Sequence, residues 1–68
     1  MPTATERVAR NVVTLREARG LTQEALAQET GLNRVTLARL ERALHPPNLE
    51  TLDRIARALR VTLAELVR

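Results

Sequence analysis

The stretch TQEALAQETGLNRVTLARLE, residues 22–41, decides the fold of this 68-residue chain. Thr22 and Asn33 are residue types that cap the N-termini of helices, and each is followed by a short helical pattern. Gly31 lies between the two patterns, and glycine readily takes the left-handed conformation that ends a helix and redirects the chain. The stretch therefore predicts two short helices joined by a sharp turn.

The spacing of apolar and small residues indicates how these two helices pack. Ala27 is predicted where the helices approach most closely, because a larger side chain there would push them apart. Leu37 and Leu40 are predicted to face inward and to anchor the second helix. The positions that together match helix-turn-helix spacing are Gln23, Ala27, Gly31, Leu37 and Leu40. The positions left facing outward on the second helix are Arg34, Val35, Ala38, Arg39 and Arg42.

Signals before this stretch predict one more helix. It runs from Thr5, as its N-cap, to about Arg19, and Gly20 supplies its left-handed end. Its apolar stripe comprises Val8, Val12 and Leu15.

Signals after the stretch predict a loop and two more helices. Because two adjacent prolines end a helix, Ala43 to Pro47 is predicted to be a loop. Asn48 is then predicted to cap a fourth helix. Its inward side chains are predicted to be Leu49, Leu52, Ile55, Ala56 and Leu59. Thr62 and Glu65 fit a capping box for a short last helix. The chain is thus predicted to be all-α, a compact five-helix bundle in one domain of residues 1–68, with the helix-turn-helix unit at about 22–42.

Composition narrows the possible functions. Cysteine and aromatic residues are absent, so the core must be built from Leu, Val, Ile and Ala, and no thiolate can serve as nucleophile or metal ligand. With one histidine, His45, and one aspartate, Asp53, neither an enzyme nor a metal site is expected, and no cofactor is implied. No apolar run resembles a signal peptide or a membrane span, so we expect a cytoplasmic protein. Because the chain stops soon after the predicted fifth helix, no sensor or effector domain is expected.

The charge pattern admits two interpretations. The formal net charge is +3, and all eleven basic residues are arginine. A GC-rich genome or a thermophilic source explains this composition without any function. The functional interpretation is that the planar arginine fork binds phosphates and base edges in a way that lysine cannot.

A wider resemblance covers nearly the whole chain, from about Val8 to Val67. The segments LREARGLTQEALAQETG and PNLETLDRIARALRVTLAEL, with Glu41 at the end of the second motif helix, resemble the Cro and phage-repressor type, the XRE family. The resemblance implies a lambda-repressor-like five-helix domain whose third helix enters the major groove of double-stranded DNA, usually as a two-fold dimer.

The same resemblance assigns roles to individual residues. The residues implied to read base edges are Arg34, Val35, Ala38 and Arg39. The residues implied to contact the DNA backbone are Thr22, Gln23, Asn33 and Arg42. Arg16 and Glu41 are implied to form a structural ion pair between the first helix and the end of the third. The alternative for the arginines is a solvated surface, and for Arg16 a local pair within its own helix.

Two positions depart from the family pattern. Ala43 and Arg60 stand where the family often has glycine. A residue with a side chain costs roughly 1 kcal/mol or more in the left-handed conformation. Either the chain accepts this cost or these helix ends are built differently.

The functional prediction is a sequence-specific transcription regulator, acting as a repressor and a homodimer on a palindromic operator. The candidate dimer contacts are Leu44, Leu63, Leu66 and Val67, whose alternative role is to close the core of the monomer. The competing function is an antitoxin or helical interaction module whose main partner is a protein. Phage repressors, restriction–modification controllers and antitoxins are not separated by the sequence. A membrane-binding role is not expected, because the helices are short and their apolar stripes can bury one another.

Overall fold

Five helices and no strands make up the fold. The computed structural model describes all residues from Met1 to Arg68. The helices are α1 (Ala4–Ala18), α2 (Gln23–Thr30), α3 (Arg34–Glu41), α4 (Leu49–Leu59) and α5 (Leu63–Val67). The predicted all-α, five-helix architecture is confirmed. No helix is long and apolar enough to cross a membrane.

The start of α1 differs from the prediction. The N-cap is Thr3 instead of Thr5, so the helix begins two residues earlier. Thr3 Oγ1 accepts from the Glu6 N–H at 3.1 Å, and Glu6 Oε1 accepts from the Thr3 N–H at 2.7 Å. Hydrogen bonding of the Glu6 carboxylate, first to the Thr3 backbone N–H and then to the Thr3 side chain, lowers the pKa of Glu6. Three residues after Thr5 stands Val8, whose side chain cannot accept a hydrogen bond from the Thr5 backbone. Thr3, with Glu6 three residues on, therefore forms the better cap.

The other four predicted N-caps are confirmed. Thr22, Asn33, Asn48 and Thr62 each accept a hydrogen bond from a backbone N–H in the first turn of the helix that follows. Only half of the capping box predicted for α5 forms. The Glu65 N–H donates to Thr62 Oγ1 at 3.0 Å, whereas the Thr62 N–H donates no hydrogen bond to the Glu65 carboxylate.

The core is aliphatic and draws on all five helices. Its buried members are Val8, Val12, Leu26, Ala27, Leu37, Leu40, Leu52, Ile55, Ala56, Leu59 and Leu66. The inward positions predicted for α2 and α3 are confirmed. Leu49 was predicted to face inward and this is wrong: as the first residue of α4 it is 68% exposed. The buried stripe of α4 begins instead at Leu52, the first residue to reach the facing helices.

The first four helices all end in a left-handed residue. Gly20 and Gly31 take this role after α1 and α2, with φ of 69° and 73°. Ala43 and Arg60 take it after α3 and α4, with φ of 57° and 59°. The next N–H then donates back across the helix end, as from Val61 to the Ala56 carbonyl at 3.0 Å. The chain therefore keeps the usual helix ends and accepts the strain of two side chains at left-handed positions.

Replacing Arg60 by glycine should stabilise the fold. We expect Arg60→Gly to raise the free energy of unfolding by up to about 1 kcal/mol, because glycine relieves the left-handed strain. Arg54→Gly, at an exposed position inside α4, should lower it by about 1 kcal/mol. Urea unfolding of the two variants measures both effects. If Arg60→Gly instead lowers the free energy of unfolding, the Arg60 side chain contributes more to stability than its backbone strain costs.

Candidate nucleic-acid interface

The turn between α2 and α3 is fixed by its own hydrogen bonds. Gly31 is left-handed, and the Leu32 N–H donates to the Ala27 carbonyl at 3.0 Å. The Thr30 hydroxyl is shared between the Leu26 and Ala27 carbonyls and accepts from the Leu32 N–H at 3.3 Å. Thr30 is the one buried polar residue of the chain. Its role was not predicted from the sequence, although its place one residue before Gly31 is a usable signal.

This turn presents one side of α3 to solvent. Leu37 and Leu40 are buried, as predicted, while Arg34, Val35 and Arg39 are exposed. Val35 is 51% exposed and is one of five large apolar side chains that the fold leaves in solvent. Ala38 is half-buried, and its short side chain leaves a shallow depression in the middle of the exposed face. The face is therefore built from long cationic side chains around a short apolar centre.

The charges on this face are not neutralised. The protein contains two ion pairs, Arg16 with Glu41 and Arg57 with Asp53. Arg34, Arg39 and Arg42 belong to neither pair. Because no carboxylate pairs with them, their positive charges add together along α3, and such a field attracts anionic partners.

Glu41, at the end of α3, is held from two other segments. Arg16 Nε donates to Glu41 Oε2 at 2.7 Å, and Arg16 Nη2 donates to Oε1 at 3.1 Å. The Arg16 and Glu41 side chains are 12% and 5% exposed. The hydrogen bond to Glu41 is the main reason that the pKa of Arg16 is raised, so this stabilising contact persists through the neutral pH range. Arg16 Nη1 also donates to the Leu21 carbonyl at 2.8 Å, in the turn before α2.

Gln23 also binds the Glu41 carboxylate, a contact that was not predicted, since Gln23 was expected to contact the DNA backbone. Gln23 Nε2 donates to Glu41 Oε1 at 2.8 Å. One amide hydrogen is therefore occupied, and the second remains for a phosphate together with the free backbone N–H groups at the start of α2. Thr22, Gln23 and Arg34 line one open groove with Arg16 and Glu24. The structure thus places Arg34 beside two of the predicted backbone-contacting residues.

The geometry described above is the arrangement of a helix-turn-helix, and the family comparison agrees. The family model HTH_3, described as helix-turn-helix, matches residues 13–66. The chain belongs to the HTH_3 family. The resemblance to the XRE type is thereby confirmed, and the chain carries a helix-turn-helix of the kind found in transcriptional regulators.

Individual relatives of this HTH_3 chain include a repressor and a regulator. An immunity repressor protein of Bacillus phage phi105 is 37% identical over 60 residues, which span 88% of this chain and 42% of the relative. An uncharacterized HTH-type transcriptional regulator of Sinorhizobium fredii is 40% identical over 60 residues, 88% of this chain and 78% of the relative. The chain thus spans less than half of the phage protein.

A solved structure shares the fold closely. The restriction–modification controller protein C.AhdI of Aeromonas hydrophila superposes with a TM-score of 0.88 at 32% identity, covering 91% of this chain and 94% of that one. The HTH_3 match at residues 13–66 extends from within α1 into α5.

The predicted dimer contacts fall into two groups in the HTH_3 fold. Leu44 and Val67 are 51% and 38% exposed, and both remain available for contact with another molecule. Leu66 is fully buried, so its prediction as a dimer contact is wrong: it faces the core and cannot reach a partner. Leu63 is half-buried and packs against the core, which favours its alternative role of closing the monomer. Leu49, which was not predicted as a dimer contact, is exposed as well.

The side chains that could bind a metal ion lie apart from one another. No group of three or more His, Cys, Asp or Glu side chains converges. The one exposed histidine, His45, lies instead in a cleft beside α3 with Thr36, Arg39, Asn48 and Thr51. Among these, Thr36, Asn48 and Thr51 were not considered as site residues from the sequence.

Removing Glu41 should destabilise the fold strongly. We expect Glu41→Leu to cost about 3–5 kcal/mol of unfolding free energy, because Arg16 stays desolvated without its partner. In the double variant Arg16→Met/Glu41→Leu, the loss of unfolding free energy should be smaller than the sum of the losses in the two single variants. The reason is that neither charge is left without its partner. Chemical unfolding of the three variants gives the coupling. A cost below about 1 kcal/mol for the single variant would mean that the pair behaves as a solvated surface pair.

Proposed function

We propose that this chain is a cytoplasmic, sequence-specific DNA-binding transcription regulator that acts as a repressor, as a homodimer on a palindromic operator. The observation that carries the proposal is the face of α3. It presents Arg34, Arg39 and Arg42 with no carboxylate partner. In a helix-turn-helix the second helix lies in the major groove, where such side chains meet base edges and phosphates.

The roles of the α3 residues follow from their chemistry. Arg34 and Arg39 suit guanine, whose O6 and N7 accept two parallel hydrogen bonds from a guanidinium. Val35, exposed between them, suits a thymine methyl group. Ala38 is short enough to let the helix backbone approach the base edges. Arg42 follows the last residue of α3 and suits a phosphate.

Backbone contacts are proposed for the two helix starts of the motif. Thr22 and Asn33 use their side-chain oxygens to cap α2 and α3, accepting from Ala25 at 3.0 Å and from Val35 at 2.7 Å. The Asn33 amide N–H groups and the Thr22 hydroxyl proton therefore remain free to donate to phosphate oxygens. Gln23 offers its second amide hydrogen at the same place.

The proposed homodimer uses the apolar side chains exposed outside α3. Val67 lines an open groove with Pro46 and Pro47. Leu44 and Leu49 flank the two prolines in the sequence, and both are more than half exposed. A two-fold dimer formed through this surface must present its two α3 helices ~34 Å apart to reach successive major grooves.

The sequence specificity of Arg39 can be tested directly. We expect Arg39→Ala to weaken binding to a site selected from random DNA by about 1–3 kcal/mol, and to relax preference at one base pair. Arg54→Ala, an exposed arginine of α4 outside both ion pairs, is the matched control and should have a small effect. Fluorescence anisotropy on selected and on random duplexes measures both variants.

Two results would contradict this part of the proposal. An equal loss on random DNA would assign Arg39 to phosphate instead of a base. Absence of any duplex binding at low salt would exclude the regulator altogether. The exposed apolar side chains would then favour an antitoxin or helical adaptor whose partner is a protein.

The dimer surface has its own test. Val67→Glu places a charge in the proposed interface and should raise the dimer dissociation constant at least ~10-fold, because an unpaired charge is costly to bury. Thr14→Glu adds the same charge at an exposed position of α1 and should leave association unchanged. Sedimentation equilibrium measures the dissociation constant. Equal association of the two variants would place the dimer contact elsewhere.

A further inference from the structure

The exposed face of α3 offers hydrogen-bond donors but no free carboxylate. Arg34, Arg39 and Arg42 carry only N–H donors, and none of them pairs with a carboxylate. Glu41, the one carboxylate of the helix, is 5% exposed and binds Arg16. A base edge that presents only a donor therefore meets no charged acceptor on this face.

The two neutral polar side chains of this segment do not supply the missing acceptor. Asn33 Oδ1 accepts from the Val35 N–H at 2.7 Å and is thereby engaged in the cap of α3. Thr36 lines a cleft on the side of α4, beside Pro46 and Pro47. In the major groove, unmodified cytosine presents its N4 amino donor, which an acceptor must recognise. The face of α3 is therefore poorly suited to recognise unmodified cytosine.

Val35 gives this face an apolar contact one helical turn from an arginine. It is the one large apolar side chain that α3 leaves in solvent, and the half-buried Ala38 beside it is too short to shield it. Arg39 follows Val35 by four residues, which places their Cβ atoms about 5–6 Å apart on one side of the helix. Successive bases of a strand lie ~3.4 Å apart. If Arg39 binds a guanine, Val35 therefore meets a neighbouring base pair.

We propose that Val35 and Arg39 together recognise a guanine beside a pyrimidine that carries a methyl group at C5, and that 5-methylcytosine serves as well as thymine. The inference rests on the proposed function, because it takes α3 to lie in the major groove. Thymine and 5-methylcytosine place the same methyl group at the same position in that groove. They differ at the neighbouring exocyclic group, an acceptor in thymine and a donor in cytosine, which a valine side chain cannot distinguish by hydrogen bonding.

A consequence is that DNA binding by this chain responds to cytosine methylation. Where the recognised pyrimidine is cytosine, methylation at C5 supplies an apolar group for Val35 that the unmodified base lacks. Burying one methyl group corresponds to about a 4-fold gain in affinity for each half-site. Val35 is then the residue that determines specificity at this base pair, and Arg39 fixes the guanine beside it.

The first experiment changes one methyl group at a time in the DNA. Each pyrimidine of a half-site selected from random DNA is replaced in turn by cytosine, 5-methylcytosine, uracil or thymine, with the matching purine opposite. The cytosine pair and the uracil pair each differ by a methyl group alone. At one position we expect the methyl group to raise affinity about 4-fold in both pairs, measured by fluorescence anisotropy. A methyl effect at no position would overturn the proposal.

The second experiment assigns the methyl contact to Val35. Val35→Ala removes both γ-methyl groups at an exposed position, so the fold should be unaffected. We expect the gain from 5-methylcytosine and from thymine to fall below about 2-fold, while affinity for the cytosine and uracil duplexes stays close to that of the unmodified chain. Thr36→Ala truncates the neighbouring exposed side chain of α3 and should keep the full gain. A gain that persists in Val35→Ala would overturn the assignment.

The same measurements separate this inference from the proposed function. Absence of binding to every duplex at low salt would exclude the regulator and the methyl contact together. Equal binding of methylated and unmethylated duplexes would leave the regulator intact and overturn the methyl contact. Weaker binding on methylation would show that the face of α3 has no room for the methyl group, which would overturn the inference as well.

Discussion

The carboxylate of Glu41 is the contact on which the arrangement of the motif depends. It joins the middle of the chain to Arg16 of α1 and to Gln23 at the start of α2. An eight-residue helix such as α3 is not stable alone in water, so its direction must come from what it packs against. Two buried leucines hold the inner side of α3, and Glu41 fixes its far end. The exposed side is left free for a ligand.

The same contact shapes the electrostatics of the site. Glu41 is the one carboxylate within α3, and Arg16 pairs with it away from the exposed face. The remaining arginines of this segment keep their full positive charge. Because Glu41 is turned inward to Arg16, the exposed face of α3 is more basic than the small net charge of the chain indicates. This is why position, and not the count of arginines, carries the functional meaning.

The structure also divides a face that the sequence presents as one row. Arg34 borders a groove at the start of α2, and Arg39 borders a cleft at the start of α4. Both recesses combine a residue of α3 with the N-terminal residues of a neighbouring helix. The surface around α3 is therefore a composite of three helix starts and one loop. That composite is suited to a strand of regularly spaced phosphates on either side of a groove.

The sequence by itself determined the helices, four of their five caps, the Gly31 turn and the inward leucines of α3, because these depend on residues within one or two turns of each other. It also indicated, through family resemblance, the pairing of Arg16 with Glu41. Tertiary structure decided that Leu66 is buried while Val67 and Leu49 are not, that Gln23 binds Glu41, and that His45 and Arg39 line one cleft. Helical periodicity orients a side chain about its own helix axis only. Contacts such as Gln23 with Glu41, 18 residues apart, depend on how the helices cross, which local patterns do not encode.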